Sequence, residues 1–143
     1  MRIVEVELPF RQNPQCHVVT LHQRDQAMAV FDCWDDDADI APGVLGCVRF
    51  YGVLAVKVER HSTPLIPDEL EFGSSLYQVL ESDWLRAHLQ AVRAWTHEGQ
   101  DAGRYRHYLV NSHDHQLAVL CTGYDAQLRQ ARLADIIGDF ELG

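Results

Sequence analysis

The stretch Arg104–Thr122, RYRHYLVNSHDHQLAVLCT, decides the fold. Side chains alternate faces along a strand, so the length of a hairpin loop dictates which residues meet. With a four-residue loop, Ser112 to His115, Val110 falls opposite Leu117 and Tyr108 opposite Val119. One face then gathers Tyr108, Val110, Leu117, Val119 and Cys121, an apolar set suited to a core. The other gathers His107, Leu109, Asn111, Gln116, Ala118 and Leu120, which is mixed and suited to partial cover. A three-residue loop would destroy this agreement. A two-residue primed turn lacks its usual glycine, whereas Ser and Asp suit a type I turn.

Before this hairpin, Arg2 to Leu8 alternates Val4, Val6 and Leu8 against Glu5 and Glu7, which predicts a strand stopped by Pro9. Cys16 to His22 and Ala27 to Trp34 form two further strands, joined through Arg24 and Asp25 as a second hairpin. From Gly46 to Arg60 one even-numbered face, Val48, Phe50, Leu54, Val56 and Val58, runs straight through Gly52. One long strand bent at Gly52 is therefore expected rather than a reversal there. Residues 61–73 read as a loop with Pro64 and Pro67. A helix is expected to start either at Ser75, which with Gln78 forms a capping box, or at Ser82. Leu85, Leu89 and Val92 recur at helical spacing, with Trp84 and Trp95 as its anchors on the sheet. A second helix is expected from about Ala126 to Ile137, ended by Gly138.

These elements specify an α+β fold: a curved, mainly antiparallel sheet of about six strands with one or two packed helices. The 143 residues suit one globular domain, residues 1–143, and no repeat, low-complexity tract or linker divides them. Apolar content of 47% and charged content of 23% are ordinary for a globular chain.

A net charge of −9 argues against nucleic acid and against anionic membranes as partners, since both call for clustered Lys and Arg. It suits a basic protein partner. The first residues read as a strand rather than a signal peptide, and no apolar run approaches the roughly 20 residues of a membrane span. Cys16, Cys33, Cys47 and Cys121 contain no C-x-x-C pair and fall mostly in apolar runs. They are expected to be reduced, largely buried thiols of a cytoplasmic protein.

The densest cluster of possible chemistry is His113-Asp114-His115 at the hairpin tip, with His107 in the strand before it. Imidazole and carboxylate suit a transition metal, so His107, His113, Asp114 and His115 form a candidate metal set, and a transition metal is the one cofactor considered. A polar loop tip is the simpler explanation, because H-E-x-x-H and the paired-cysteine deaminase pattern are both absent. Asp35, Asp37 and Asp39 resemble the opening of a calcium loop, but Ile40 stands where glycine is needed and Gly46 where glutamate is needed. Neither a G-x-S-x-G elbow nor a phosphate-binding glycine loop occurs.

The sequence therefore favours a non-enzymatic binding module, of the immunity-inhibitor or adaptor kind, over an enzyme. Its candidate partner-contact residues are Asp35, Asp36, Asp37, Asp39, Asp68, Glu69 and Glu71. The alternatives are the metal set just named and a small-molecule pocket lined by aromatic residues such as Phe50, Tyr51, Tyr108 and Tyr124.

Overall fold

The structure is a computed structural model that describes residues 2–12, 19–34, 40–60, 76–96, 102–111 and 115–142. The central hairpin forms in the expected register. Strand β8 (Arg106–Asn111) pairs with β9 (His115–Cys121), placing Tyr108 opposite Val119, Val110 opposite Leu117 and Asn111 opposite Gln116. Tyr108, Val110, Leu117, Val119 and Cys121 all enter one buried cluster, as alternation requires. The first strand, β1 (Arg2–Val6), and the hairpin of β3 (Val19–Gln23) with β4 (Gln26–Trp34) also form where they are expected. Gln23 pairs with Gln26, and Arg24 in the turn takes a φ of 55°.

The strands form two antiparallel sheets rather than one curved sheet of six. The first has the order β1-β7-β8-β9-β6 and the second the order β10-β5-β4-β2, with β3 also on β4. Here β2 is Arg11–Gln12, β5 Ile40–Tyr51, β6 Ala55–Arg60, β7 Leu76–Leu80 and β10 Gly123–Gln130. The inward faces meet in a shared core. The second sheet contributes Ala27, Ala29, Phe31, Cys33, Val48 and Phe50, and the first contributes Leu76 and the hairpin residues. Helix α1 (Asp83–Thr96) lies on the outer face of the first sheet, where Trp84 packs against Tyr77, Val79, Leu109 and Ala118. Helix α2 (Leu133–Leu142) lies on the outer face of the second, where Ile136 and Phe140 pack against Met28, Val30 and Cys47. The layers therefore run helix, sheet, sheet, helix.

Three expectations are corrected. The chain from Gly46 to Arg60 is two strands in different sheets: β5 ends at Tyr51 and β6 begins at Ala55. Val48, Phe50 and Val56 share one interior, as the alternation implied, because both sheets face the same core. Alternation reports the face of a residue and is silent on which sheet it joins. Second, Leu76–Leu80 is a strand, and the helix begins after Ser82, whose Oγ accepts the Leu85 N–H at 3.1 Å. Lying between β1 and β8, β7 is covered on both faces: Leu76 faces the shared core and Tyr77 and Val79 face α1. Such a strand loses its polar alternation and resembles a helix segment. Third, Gly123–Gln130 is a strand, α2 starts only at Leu133, and Gly138 lies inside it. The period of two in Tyr124, Ala126 and Leu128 against Asp125, Gln127 and Arg129 prevails over the helical spacing downstream.

The two sheets are joined at a double corner. β5 leaves the second sheet for β6 at Gly52, and β9 leaves the first for β10 at Thr122. The corners bond to each other. Thr122 donates its N–H (2.9 Å) and its Oγ1–H (3.0 Å) to the Tyr51 carbonyl, and the Leu54 N–H reaches the Leu120 carbonyl at 2.7 Å. The turn of the β3–β4 hairpin joins in, since the Asp25 carbonyl accepts the Val53 N–H at 2.8 Å. Gly52 holds a φ of 61°, and a Cβ there would collide with the Thr122 hydroxyl and lie 2.8 Å from its Cγ2.

Gly52→Ala should therefore destabilise the protein by about 2–4 kcal/mol, combining left-handed backbone strain with the clash. In urea unfolding, Thr122→Ala in the same chain should recover part of that loss, and an unchanged midpoint in the single variant would refute the account.

Candidate functional site

The structure separates two members of the proposed metal set, His107 and His115. His107 stands opposite Leu120 near one end of the β8–β9 ladder, and His115 stands opposite Arg60 at the other. Leu120 and His115 are five residue steps apart along β9, about 17 Å at the usual strand rise. The two also project to opposite faces, since His107 shares its side with Leu109 and His115 shares its side with Leu117. Strand parity already contained this separation. His113 and Asp114 lie outside the described residues. Among the described residues no group of three or more His, Cys, Asp or Glu side chains is placed to hold a metal.

His107 belongs to a different constellation. It is 6% exposed, and its Nδ1 lies 2.7 Å from the Oγ of Ser82, which is 7% exposed. Ser82 Oγ already accepts the Leu85 N–H, so its hydroxyl hydrogen is free to be donated to Nδ1. The other ring nitrogen, Nε2, has no hydrogen-bond partner. Trp84 meets the ring edge-on at 5.1 Å between centroids, and Lys57 Nζ sits 4.7 Å from the centre of the Trp84 ring. Burial, and secondarily the Lys57 charge, lower the pKa of His107 to about 4. A neutral imidazole bonded to a capping serine ties the start of α1 to β8. Both groups are closed off from solvent, so the pair serves as an anchor rather than an exposed nucleophile and base.

The cysteines are free and buried at Cys33, Cys47 and Cys121, and Cys16 lies outside the described residues. Burial pushes the Cys33 thiol up to about 11 and the Cys121 thiol up to about 12, the reverse of what a nucleophilic thiolate needs. Of the aromatic residues considered for a pocket, Phe50, Tyr108 and Tyr124 pack in the interior. Phe50 and Tyr108 lie 5.9 Å apart and Tyr108 and Tyr124 lie 5.2 Å apart between ring centroids, all within the shared core, while Tyr51 is exposed.

A polar cleft of about 220 Å3 opens between α2 and the outer face of the second sheet, lined by Met28, Cys47, Arg49, Asp125, Gln127, Arg129 and Asp139. β5 and β10 build it: Arg49 stands opposite Asp125, and Cys47 opposite Gln127. Arg129 closes on Asp139 at 2.7 Å. The Arg49 guanidinium lies 5.6 Å from the centre of the Phe140 ring, and its Nε is buried without a hydrogen-bond partner. The sequence carried a sign of this cleft in the alternating Asp125, Gln127 and Arg129, which the helical spacing further on obscured.

The seven acidic residues proposed for partner contact, Asp35, Asp36, Asp37, Asp39, Asp68, Glu69 and Glu71, all lie outside the described residues. Their flanking strands are described. Residues 61–75 connect Arg60, which pairs with His115, to Leu76, which pairs with Val110. Arg60 and Leu76 thus both lie beside the tip end of the β8–β9 hairpin. Residues 35–39 connect Trp34 and Ile40, which pair with each other at the far end of β5 from Gly52.

Comparison with protein-family models, with curated proteins and with solved structures returned no match. The class of the molecule is accordingly its architecture: mostly antiparallel strands in two sheets, neither closed, with a helix on each outer face. No helix among the described residues is long and apolar enough to cross a membrane.

Two outcomes follow from these side chains. The unfolded chain should bind a proton at His107 near pH 6.5, whereas the folded chain binds it only near pH 4. Stability from this group is complete above about pH 6.5 and is lost as pH falls toward 4, a change on the order of 3 kcal/mol. Urea titrations at several pH values should show a shallower acid slope in His107→Gln than in the parent chain. Separately, a thiol reagent at pH 8 should leave Cys33 and Cys121 unlabelled until denaturant is added; rapid labelling in the native state, located by peptide mapping, would contradict the burial.

Proposed function

We propose that this is a small acidic binding protein, immunity- or adaptor-like, that meets a basic macromolecular partner in the cytoplasm through its carboxylate-rich segments. The observation that carries this reading is topological. Arg60 and Leu76, which flank Asp68, Glu69 and Glu71 in the sequence, pair with His115 and Val110 at the hairpin-tip end of the first sheet. Segments held at the ends of rigid strands are where binding residues commonly sit. The net charge of −9 favours a basic partner, and the raised thiols and buried imidazole favour binding over catalysis. Free buried thiols fit a reducing compartment.

A metal bound at the hairpin tip would draw on His113, Asp114 and His115 without His107, whose side chain faces the opposite side of the sheet. Small-molecule binding is the second reading, and the polar cleft under α2 favours it.

The test is capture from host lysate at low and high salt. A partner should be retained at about 0.05 M salt and released at about 0.5 M, because screening shortens the reach of exposed charges. Reversing Asp68, Glu69 and Glu71 to Lys should abolish retention, while the same change at Asp35, Asp36, Asp37 and Asp39 reports on the second segment. Retention that ignores both salt and these substitutions would overturn the proposal.

A further inference from the structure

We infer that the cleft between α2 and the second sheet binds a small zwitterion of the α-amino-acid type, its carboxylate on Arg49 and its ammonium on Asp125. Arg49 and Asp125 are direct cross-strand partners, with side chains on the same outer face. Opposite charges at that spacing, about 5 Å between Cβ atoms, are within reach of an ion pair. Yet the ion pairs found among the described residues include neither of them. The Arg49 guanidinium rests on Phe140 instead, and its buried Nε has no acceptor. A guanidinium laid on an aromatic ring is also held with its edge ready for a planar carboxylate.

The remaining charges select the ligand. Arg129 and Asp139 neutralise one another at 2.7 Å, leaving one cation, Arg49, and one anion, Asp125, side by side in the cleft. A multiply charged anion would face two carboxylates there. A molecule with a carboxylate and an ammonium on adjacent carbons matches both charges at once. The volume of about 220 Å3 lies below the roughly 300–1,000 Å3 of drug-sized pockets and so suits a ligand of few atoms. Met28 and Cys47 offer a short side chain an apolar wall, and Gln127 offers a hydrogen bond.

The test uses the full chain, isotopically labelled for NMR, titrated at constant ionic strength with glycine, alanine, serine, acetate, methylammonium and inorganic phosphate. At least one amino acid should give saturable shifts at Arg49, Gln127 and Arg129, with affinity about tenfold or more above acetate or methylammonium. Arg49→Met and Asp125→Asn should each weaken that binding about tenfold or more, and Arg49→Lys should weaken it less. Arg132→Met, an exposed residue outside the cleft lining, should leave it unchanged. If Arg49→Met does not fold, Asp125→Asn decides alone, since it exchanges one exposed carboxylate for an amide. No saturable shift with any amino acid, equal affinity for acetate, or tighter binding of phosphate would each overturn the assignment.

Discussion

The architecture depends on two strands changing sheets at the same place. A strand passing between facing sheets must turn sharply, and its backbone groups lose their ladder partners at the turn. Here each corner supplies what the other lacks. Tyr51 offers its carbonyl to Thr122, and Leu120 offers its carbonyl to Leu54. The close approach leaves no room for a side chain at residue 52, and the φ of 61° suits glycine there. Each crossing strand is interior in one sheet and an edge in the other: β5 and β9 are flanked on both sides, whereas β6 and β10 are edges. The sheets are therefore tied to each other by hydrogen bonds as well as by their packed faces.

With the interior filled, the chemistry of this chain is displaced to the outer faces. The first sheet's outer face carries His107 and Lys57 under α1, and burial holds the imidazole neutral against Ser82 and Trp84. The second sheet's outer face carries Arg49, Asp125 and Arg129 beside α2, where the helix covers the sheet incompletely and leaves a cleft. The same structural role, a helix lying on a sheet, thus gives a sealed polar anchor on one side and an open polar recess on the other. The difference lies in the charges. A neutral His–Ser pair carries no charge to desolvate and shares one hydrogen bond, whereas arginine and aspartate require water, each other or a ligand.

The hairpin register, the first strand and the β3–β4 hairpin were legible because each rests on near neighbours in sequence, whereas Ser82 was one of two possible helix starts. Leu76–Leu80 was not, because a strand buried on both faces carries no alternation to read. Gly123–Gln130 was misread although its alternation is present, since Leu133, Ile136, Ile137 and Phe140 imposed a stronger helical spacing nearby. For the candidate sites, proximity along the chain misled. His107 lies near His113 and His115 in sequence, but strand parity turns it away from His115, and its partner is a serine 25 residues earlier.

By itself the sequence determined the faces: which residues of β5, β8 and β9 point into the shared core follows from alternation, a local property of extended backbone. Only the tertiary structure decided sheet membership, because a residue keeps the same inward face whether its strand stays in one sheet or turns a corner into the opposing one. It alone decided the two polar constellations as well. Ser82 with His107, and Arg49 with Asp125 and Asp139, are brought together by strand order and helix docking, which act over separations that no local pattern records.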